Sequence, residues 1–426
     1  MLATAPAGAA AARRGDWPVV GHETPCVYPS DHISILDAFS RLVGRGFNCV
    51  MVYNDAAPTW AAWEDPWFIR HTYTDMQWGR WATQPGAHRQ LVITQNLFPA
   101  SENSSDWLAR GAAGAFDRDA RTLATNLVRA GLGHSIIRLA HEANGTWYPD
   151  SIPDTRTGDA EWVQFWRNTA LAMRSVPGAH FRFDWTVNAN TRDVPLSSFY
   201  PGDDVVDIIG VDLYDVGVPT AGNRWPVIAG RPDGLNAVSA FAAAHHKPLS
   251  IPEWGVGPAL EPGKEEGGDD PSYVNGIAAA VQHDDVAYQS YFFADDQAIQ
   301  LLNSPLSLAA YRGDFGPTGA AVAAAQREVA VPAPVTPPLT ITSGPRNGSV
   351  IRTATTFTFT SSRRFQAQCS LDGAWKRCTS RSADVLSRLA PGFHIWEVKL
   401  VNAANQVAIN GRTFLVSGPA ALSTGL

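Results

Sequence analysis

Two glutamates stand in surroundings suited to chemistry. Glu142 lies in Arg138-Leu139-Ala140-His141-Glu142-Ala143-Asn144-Gly145-Thr146-Trp147-Tyr148, and Glu253 lies in Lys247-Pro248-Leu249-Ser250-Ile251-Pro252-Glu253-Trp254-Gly255. A charged residue just past an apolar run is the ordinary start of a loop, and that accounts for one glutamate. It does not account for Arg, His, Glu, Asn and Trp crowded into one short segment. Two carboxyl groups that converge can protonate a leaving oxygen and support an oxocarbenium-like centre, which is what cleaving a glycosidic bond requires. At about 5–5.5 Å apart, one serves as acid/base and the other as nucleophile. The two glutamates are distant in the chain, so only a closed fold can bring them together.

The pattern around them predicts such a fold. Short β-rich runs occur at Pro18–Glu23, Phe47–Tyr53, Gln90–Asn96, Ser135–Leu139, Phe181–Val187, Val205–Leu213, Pro248–Pro252 and Ala287–Phe293. Helical candidates such as Ala115–Ala130, Ala160–Ser175 and Gly234–His245 lie between them. Strands alternating with helices point to an α/β chain with a closed parallel (β/α)₈ TIM barrel. An open doubly wound sheet would show a Gly-rich phosphate loop after its first strand, and none is present. Glu142 ends the fourth run and Glu253 the seventh, which face each other across such a barrel. Asn54, Asn96, His141, Asn188 and Tyr214 also sit at the C-terminal ends of runs, the rim where barrels build active sites.

These motifs carry a resemblance. Residues 138–147, an Arg followed after two residues by His-Glu-x-Asn-Gly-x-Trp, are similar to the strand-four motif of glycoside hydrolase family 26, whose best-known members are endo-β-1,4-mannanases. The resemblance covers roughly residues 16–328. It implies Glu142 as acid/base, with Arg138, His141 and Trp147 lining the sugar site, and Glu253 as nucleophile, followed by Trp254 and Gly255. It also implies Tyr214 as a hydrogen-bond donor to the nucleophile and Trp185 as a loose match to a strand-five Trp. The family's mannanases usually place a Trp after strand eight. Here the segment reads Ser290-Tyr291-Phe292-Phe293-Ala294-Asp295, which leaves Phe293 as a smaller platform or the floor of the site different.

Other residues have plainer readings. Asp270-Pro271 reads as a helix start, with Asp270 as N-cap and Pro271 in the first turn. Asp203, Asp204 and Asp207 read as surface groups, Glu261–Gly268 as a solvated loop, and Asp212 as a structural hydrogen-bonder within strand six. His22-Glu23 ends the first run on the active rim. Trp60, Trp63, Trp67, Trp78 and Trp81 cluster after strand two, and some of them can wall the cleft. A metal site is disfavoured, because adjacent His141 and Glu142 would point to opposite faces of a strand. No cofactor is expected.

The chain has 426 residues with a net charge of −7, which argues against a nucleic-acid partner. No apolar stretch of about 18 residues is present to span a membrane. Residues 1–15 read as a disordered arm or the remnant of a signal peptide, and we expect a secreted monomer acting on a polysaccharide. The catalytic domain is expected over 16–328. A Pro-rich linker follows over 329–338, with VPAPVTPP at 331–338. Residues 339–417 show short alternating strands, at Leu339–Ser343, Thr355–Thr360, Phe365–Leu371, His394–Leu400 and Thr413–Val416. Turns fall at Asn347-Gly348, Asp372-Gly373 and Pro391-Gly392. This resembles a bacterial immunoglobulin-like β-sandwich, with 418–426 as a tail. A hairpin disulfide between Cys369 and Cys378 is plausible. Cys49 reads either as a buried thiol or as bonded to Cys26. The expected reaction is retaining, endo-acting hydrolysis of β-1,4-mannan. Mixed-linkage glucan, xylan or a wall glycan keep the same mechanism, and a non-catalytic carbohydrate-binding barrel is the alternative of a different class.

Overall fold

In a computed structural model, eight strands close into a parallel barrel in the order β1-β2-β3-β4-β5-β6-β7-β8. They are β1 (Cys26–Tyr28), β2 (Cys49–Tyr53), β3 (Gln90–Gln95), β4 (Ile136–Leu139), β5 (Arg182–Asn188), β6 (Ile208–Tyr214), β7 (Leu249–Gly255) and β8 (Val286–Phe292). The structure describes residues 25–316 and 339–416 apart from short internal stretches, the longest being 219–223, 257–266 and 294–300. The fold is the expected TIM barrel, and seven of its strands coincide with predicted runs to within a few residues.

The first strand is a correction. It was expected at Pro18–Glu23, but the strand that bonds to both β2 and β8 is Cys26–Tyr28. Pro25 and Pro29 cut its apolar run to three residues, too short for alternation to show. Residues 18–23, and with them His22-Glu23, lie outside the described residues, as do residues 1–15, 331–338 and 418–426, Glu261–Glu266 and the turns at 347–348, 372–373 and 391.

Alternation along each strand sorts side chains into two cores. Cys26, Cys49, Met51, Val92, Ile136, Ile208, Ala287 and Tyr288 fill the barrel interior, the adjacent pair Ala287 and Tyr288 lying where the register of β8 against β7 shifts. Their neighbours, among them Val50, Ile93, Ile137, Phe183, Val211 and Ile251, face outward against the helices. Cys26 stands opposite Cys49 in the β1–β2 ladder and is bonded to it, so Cys49 is no free thiol. Helix Ile33–Val43 shows how the outer layer forms: Leu36, Phe39 and Val43 bury one stripe, and Gly44 closes the helix at φ 79°, a left-handed cap suited to glycine. Asp270 caps helix Pro271–His283 as expected, accepting from Ser272 N at 2.9 Å and Tyr273 N at 3.3 Å. Its neighbour Asp269 caps a different helix, Pro305–Phe315, accepting from Ser307 N at 2.7 Å. Among the described residues no helix is long and apolar enough to cross a membrane.

Contacts divide the chain into two compact units, Met1–Thr318 and Gly319–Leu426. The second is all-β. One sheet holds Ser349–Ile351, Val407–Val416, Gly392–Asn402, Phe365–Leu371 and Ala374–Arg377, and the other holds Ala383–Ser387, Ala354–Phe359 and Ile341–Ser343. Both sheets feed one core, in which Phe357 stacks on Trp396 at 3.9 Å between ring centroids. Cys369 and Cys378 are bonded across a pair of adjacent segments, as the spacing suggested.

Candidate active site

β4 ends at Leu139, before the glutamate it was expected to carry. The backbone then turns sharply, with Ala140 at φ 49° and Glu142 at φ 52°. Ala140 N donates to Gln95 O of β3 at 2.8 Å, and Glu142 N donates to Thr186 O of β5 at 3.0 Å. These two bonds pin the turn between neighbouring strands. Glu142 is only 5 % exposed. Its Oε1 accepts from Asn188 Nδ2 and its Oε2 from Trp147 Nε1, both at 2.6 Å.

Glu253 reaches the barrel interior by another route. Ser250 and Glu253 both point inward although three residues apart, which strict alternation forbids. The register shifts between Ile251 and Trp254 against β8 supply the missing step. Glu253 Oε1 then accepts from Arg138 Nη1 at 2.6 Å and Tyr53 OH at 2.5 Å, and Oε2 accepts from Tyr214 OH at 2.8 Å. Arg138, fully buried, also ion-pairs with Asp212 through Nη2.

One oxygen from each of Glu142, Asp212 and Glu253 lies within 4.8 Å of the other two. Three carboxylates could hold a cation, but the guanidinium of Arg138 already bonds two of them and supplies the positive charge. Burial opposes that charge, and Asp212 and Glu253 outweigh it, so Arg138 stays a cation. One cation cannot balance three carboxylates. Burial, and then the charge of Glu253, push Glu142 up to about 7, against the pull of Arg138, Asn188 and Trp147. Tyr53 and Tyr214 are raised well above the ordinary phenol range, by burial first and then by Glu253, and remain donors.

His141 is fully buried, its ring 4.1 Å from that of Tyr148, and neither ring nitrogen has a hydrogen-bond partner among the described residues. Burial and then Arg138 hold it well below the ordinary imidazole range, so it is neutral. Beside Glu253 opens a cavity of about 450 Å³ walled by Tyr28, Tyr53, Asp55, Trp67, Tyr148 and Phe292. Trp147 is 51 % exposed even though its indole N–H is bonded to Glu142.

Arg138, His141, Glu142, Trp147, Tyr214 and Glu253 therefore gather at one rim. Trp185, Trp254 and Phe293 do not, and their assignment to the sugar site is corrected. Trp185 packs on Phe199 and Tyr200 at 4.9 and 5.1 Å, Trp254 on Tyr291 at 5.0 Å, and Phe293 on Phe39 at 4.5 Å. All three belong to the outer core. Each sits one residue from an inward neighbour (Asp184 and Thr186, Glu253, Phe292), and strand parity sends it to the helices. Phe292, not Phe293, walls the cavity.

The sequence reading missed Tyr53, Asn188 as a partner of Glu142, and the part Asp212 plays in the charge cluster. Tyr53 ends an apolar run at the rim, which was a usable signal. Most of the Trp cluster is core: Trp63, Trp78 and Trp81 are buried, Trp60 stacks on Phe116, and only Trp67 walls the cavity. Asp204 and Asp207 pair with Arg167 and Arg174, and Asp203 with His245, outside the site.

The glycosyl hydrolase family 26 description matches residues 114–239, a span that includes Arg138, Glu142, Asp212 and Tyr214 and stops before Glu253. A β-1,3-xylanase from Alcaligenes sp. is 29 % identical over 178 residues, 39 % of this chain. The matched segment spans about a third of that protein, 34 % of its length. Among solved structures, a modular endo-β-1,4-mannanase from Cellulomonas fimi is 16 % identical, with 89 % of this chain and 88 % of that one covered and a TM-score of 0.46. The catalytic domain of an endo-β-1,4-mannanase from Bacillus sp. JAMB-750 is also 16 % identical, with coverage of 66 % and 81 % and a TM-score of 0.42. Over residues 114–239, which hold β4, β5 and β6, the chain is thus similar to glycosyl hydrolase family 26.

Proposed function

We propose that this barrel cleaves a β-linked polysaccharide internally by double displacement, with Glu253 as nucleophile and Glu142 as acid/base. The observation that carries the reading is the contrast between two carboxylates whose oxygens lie within 4.8 Å. Oxygens that close favour a retaining pair, whose carboxyl groups stand about 5–5.5 Å apart, over an inverting pair at about 6.5–9.5 Å. Glu253, held by one cation and two phenols, attacks the anomeric carbon. Glu142, which holds its proton up to about pH 7, gives that proton to the departing oxygen. The resulting glycosyl ester is then opened by water, whose proton returns to Glu142 as Glu253 leaves.

The backbone we assign is β-1,4-mannan, on the similarity of the Arg138–Trp147 motif and Tyr214 to the family's mannanases. A second reading, β-1,3-xylan, is favoured by the 178-residue match to a β-1,3-xylanase. We read the second unit as an immunoglobulin-like module and the chain as exported, a reading that its two disulfides support. The test is reducing-sugar release from linear mannan, galactomannan, lichenan, β-1,3-xylan and β-1,4-xylan, with Glu253→Ala as blank. Mannan should be cleaved fastest. Tenfold faster cleavage of a xylan or glucan overturns the substrate and keeps the mechanism, whereas activity surviving in Glu253→Ala overturns the mechanism.

A further inference from the structure

Besides Glu142, Glu253 and Asp212 the barrel interior holds a fourth carboxylate, which double displacement does not use. Asp184, in β5, is fully buried. Its Oδ2 accepts from Tyr288 OH at 2.6 Å and Ser250 Oγ at 2.7 Å, and its Oδ1 accepts from Thr186 Oγ at 2.9 Å. Hydroxyls from β5, β7 and β8 thus converge on one side chain. Gly210 of β6 lies opposite both Thr186 and Ser250 in its ladders. A Cβ there would stand 2.5 Å from Ser250 Oγ, 2.7 Å from Thr186 Oγ and 2.8 Å from Asp184 Oδ1. The interior gives up a side chain at 210 to make room for this polar group. An apolar side chain would fill the same space without the cost of burying a carboxylate.

Thr186 links this network to the site. Its oxygen accepts from Arg138 Nε at 3.3 Å. A hydroxyl that accepts from Nε must send its own hydrogen elsewhere, and Asp184 takes it. The guanidinium is then held on three edges: Nε by Thr186, Nη1 by Glu253 and Nη2 by Asp212. A planar fork held on three edges cannot rotate.

We infer that Asp184 is a positioning residue which, by orienting the Thr186 hydroxyl, fixes the plane of Arg138 and so the seat of Glu253. This rests on Glu253 being the nucleophile. Asp184→Asn removes the charge and lets the amide donate to the Thr186 oxygen in competition with Arg138. Thr186→Val removes the acceptor at nearly constant shape.

The experiment uses the full chain on the glycan that the wild type cleaves and Glu253→Ala does not, with kcat, KM and pH profile measured beside the melting temperature. Each single variant should lose at least tenfold in kcat with KM within twofold, and the double variant should be no slower than the slower single. In Asp184→Asn the alkaline limb should move to lower pH, because one carboxylate fewer then offsets Arg138, whose charge pulls Glu142 down. In Thr186→Val, where no charge changes, the limb should stay. A kcat for folded Asp184→Asn within twofold of wild type, an unmoved limb, or losses that multiply in the double variant overturn the inference. If Asp184→Asn does not fold, Thr186→Val decides by the same tenfold criterion. If the wild type cleaves no glycan or Glu253→Ala stays active, the catalytic assignment fails by itself. The crystal structure of Thr186→Val then decides: Nη1 still bonded to Glu253 counts against the inference, and a rotated guanidinium for it.

Discussion

Arg138 Nη1 lies 2.6 Å from Glu253 Oε1, with the two side chains 0 % and 8 % exposed. Removing one partner of a buried pair strands the other charge, at a cost of about 3–5 kcal/mol. Arg138→Met should lose about that much stability in a denaturant titration, because Asp212 is stranded as well as Glu253. Arg138→Lys keeps the charge but has no fork to bond both carboxylates. It should fold more stably than Arg138→Met and still lose about 10²-fold in kcat, the scale of one misplaced electrostatic donor. Equal stability of the two variants would show that geometry, not charge, dominates here.

Glu142 titrates near 7 because burial and Glu253 disfavour its anion. As an acid it works while protonated, so kcat/KM should fall as pH rises through about 7, and Glu142→Gln should lose this limb together with most of the rate. The same shift bears on stability. The folded carboxyl binds its proton more tightly than the unfolded one, whose value is 4.5. Between these values the folded state holds more protons, so stability falls as pH rises from 4.5 to about 7. The drop is roughly 3 kcal/mol for this group. Glu142→Gln should therefore melt higher than wild type at pH 8, and the difference should shrink toward pH 4.5. A gap independent of pH would refute the shift.

Tyr53 and Tyr214 each give one hydrogen bond to the Glu253 carboxylate. A hydrogen bond to a charged group contributes about 1.5–3 kcal/mol. Tyr214→Phe and Tyr53→Phe should each slow kcat by roughly 10- to 100-fold, and their losses should not add, because both act on one carboxylate. Steady-state kinetics of the two singles and the double checks this.

Phe292 and Phe293 make a matched pair of opposite faces. Phe292→Ala should raise KM for the polysaccharide while leaving the fold nearly as stable. Phe293→Ala should cost about 3–5 kcal/mol through the cavity left beside Phe39, with KM unchanged in the folded protein. Melting curves and KM for both variants suffice, and the reverse result would move the cavity wall back to 293.

Strand number, order and most strand positions were legible in the sequence because apolar runs separated by helical patterns leave few topologies. The convergence of Glu142 and Glu253 was legible because Glu142 sits in a dense motif and Glu253 ends a buried run. Face was harder to read. Trp185, Trp254 and Phe293 were placed in the cleft by type and nearness, yet a period of two sends them outward, and the irregular register near Pro252 hides the parity of Glu253 from its neighbours. β1 was lost because three residues between prolines carry no pattern. Asp212 read as structural because the Arg138 that draws it into the site lies on another strand, and pairings of that range leave no trace in local sequence.

Ala140 and Glu142 both hold left-handed backbone, at φ 49° and 52°, where a side chain costs about 1–3 kcal/mol. Selection for durability alone would place glycine at both positions. At 142 that would delete the carboxyl, so the turn carries a tension that its function does not let it shed. Adaptation to heat in this barrel must then come from elsewhere in the chain, or from Ala140→Gly, which eases the turn and leaves every bonded group in the site untouched.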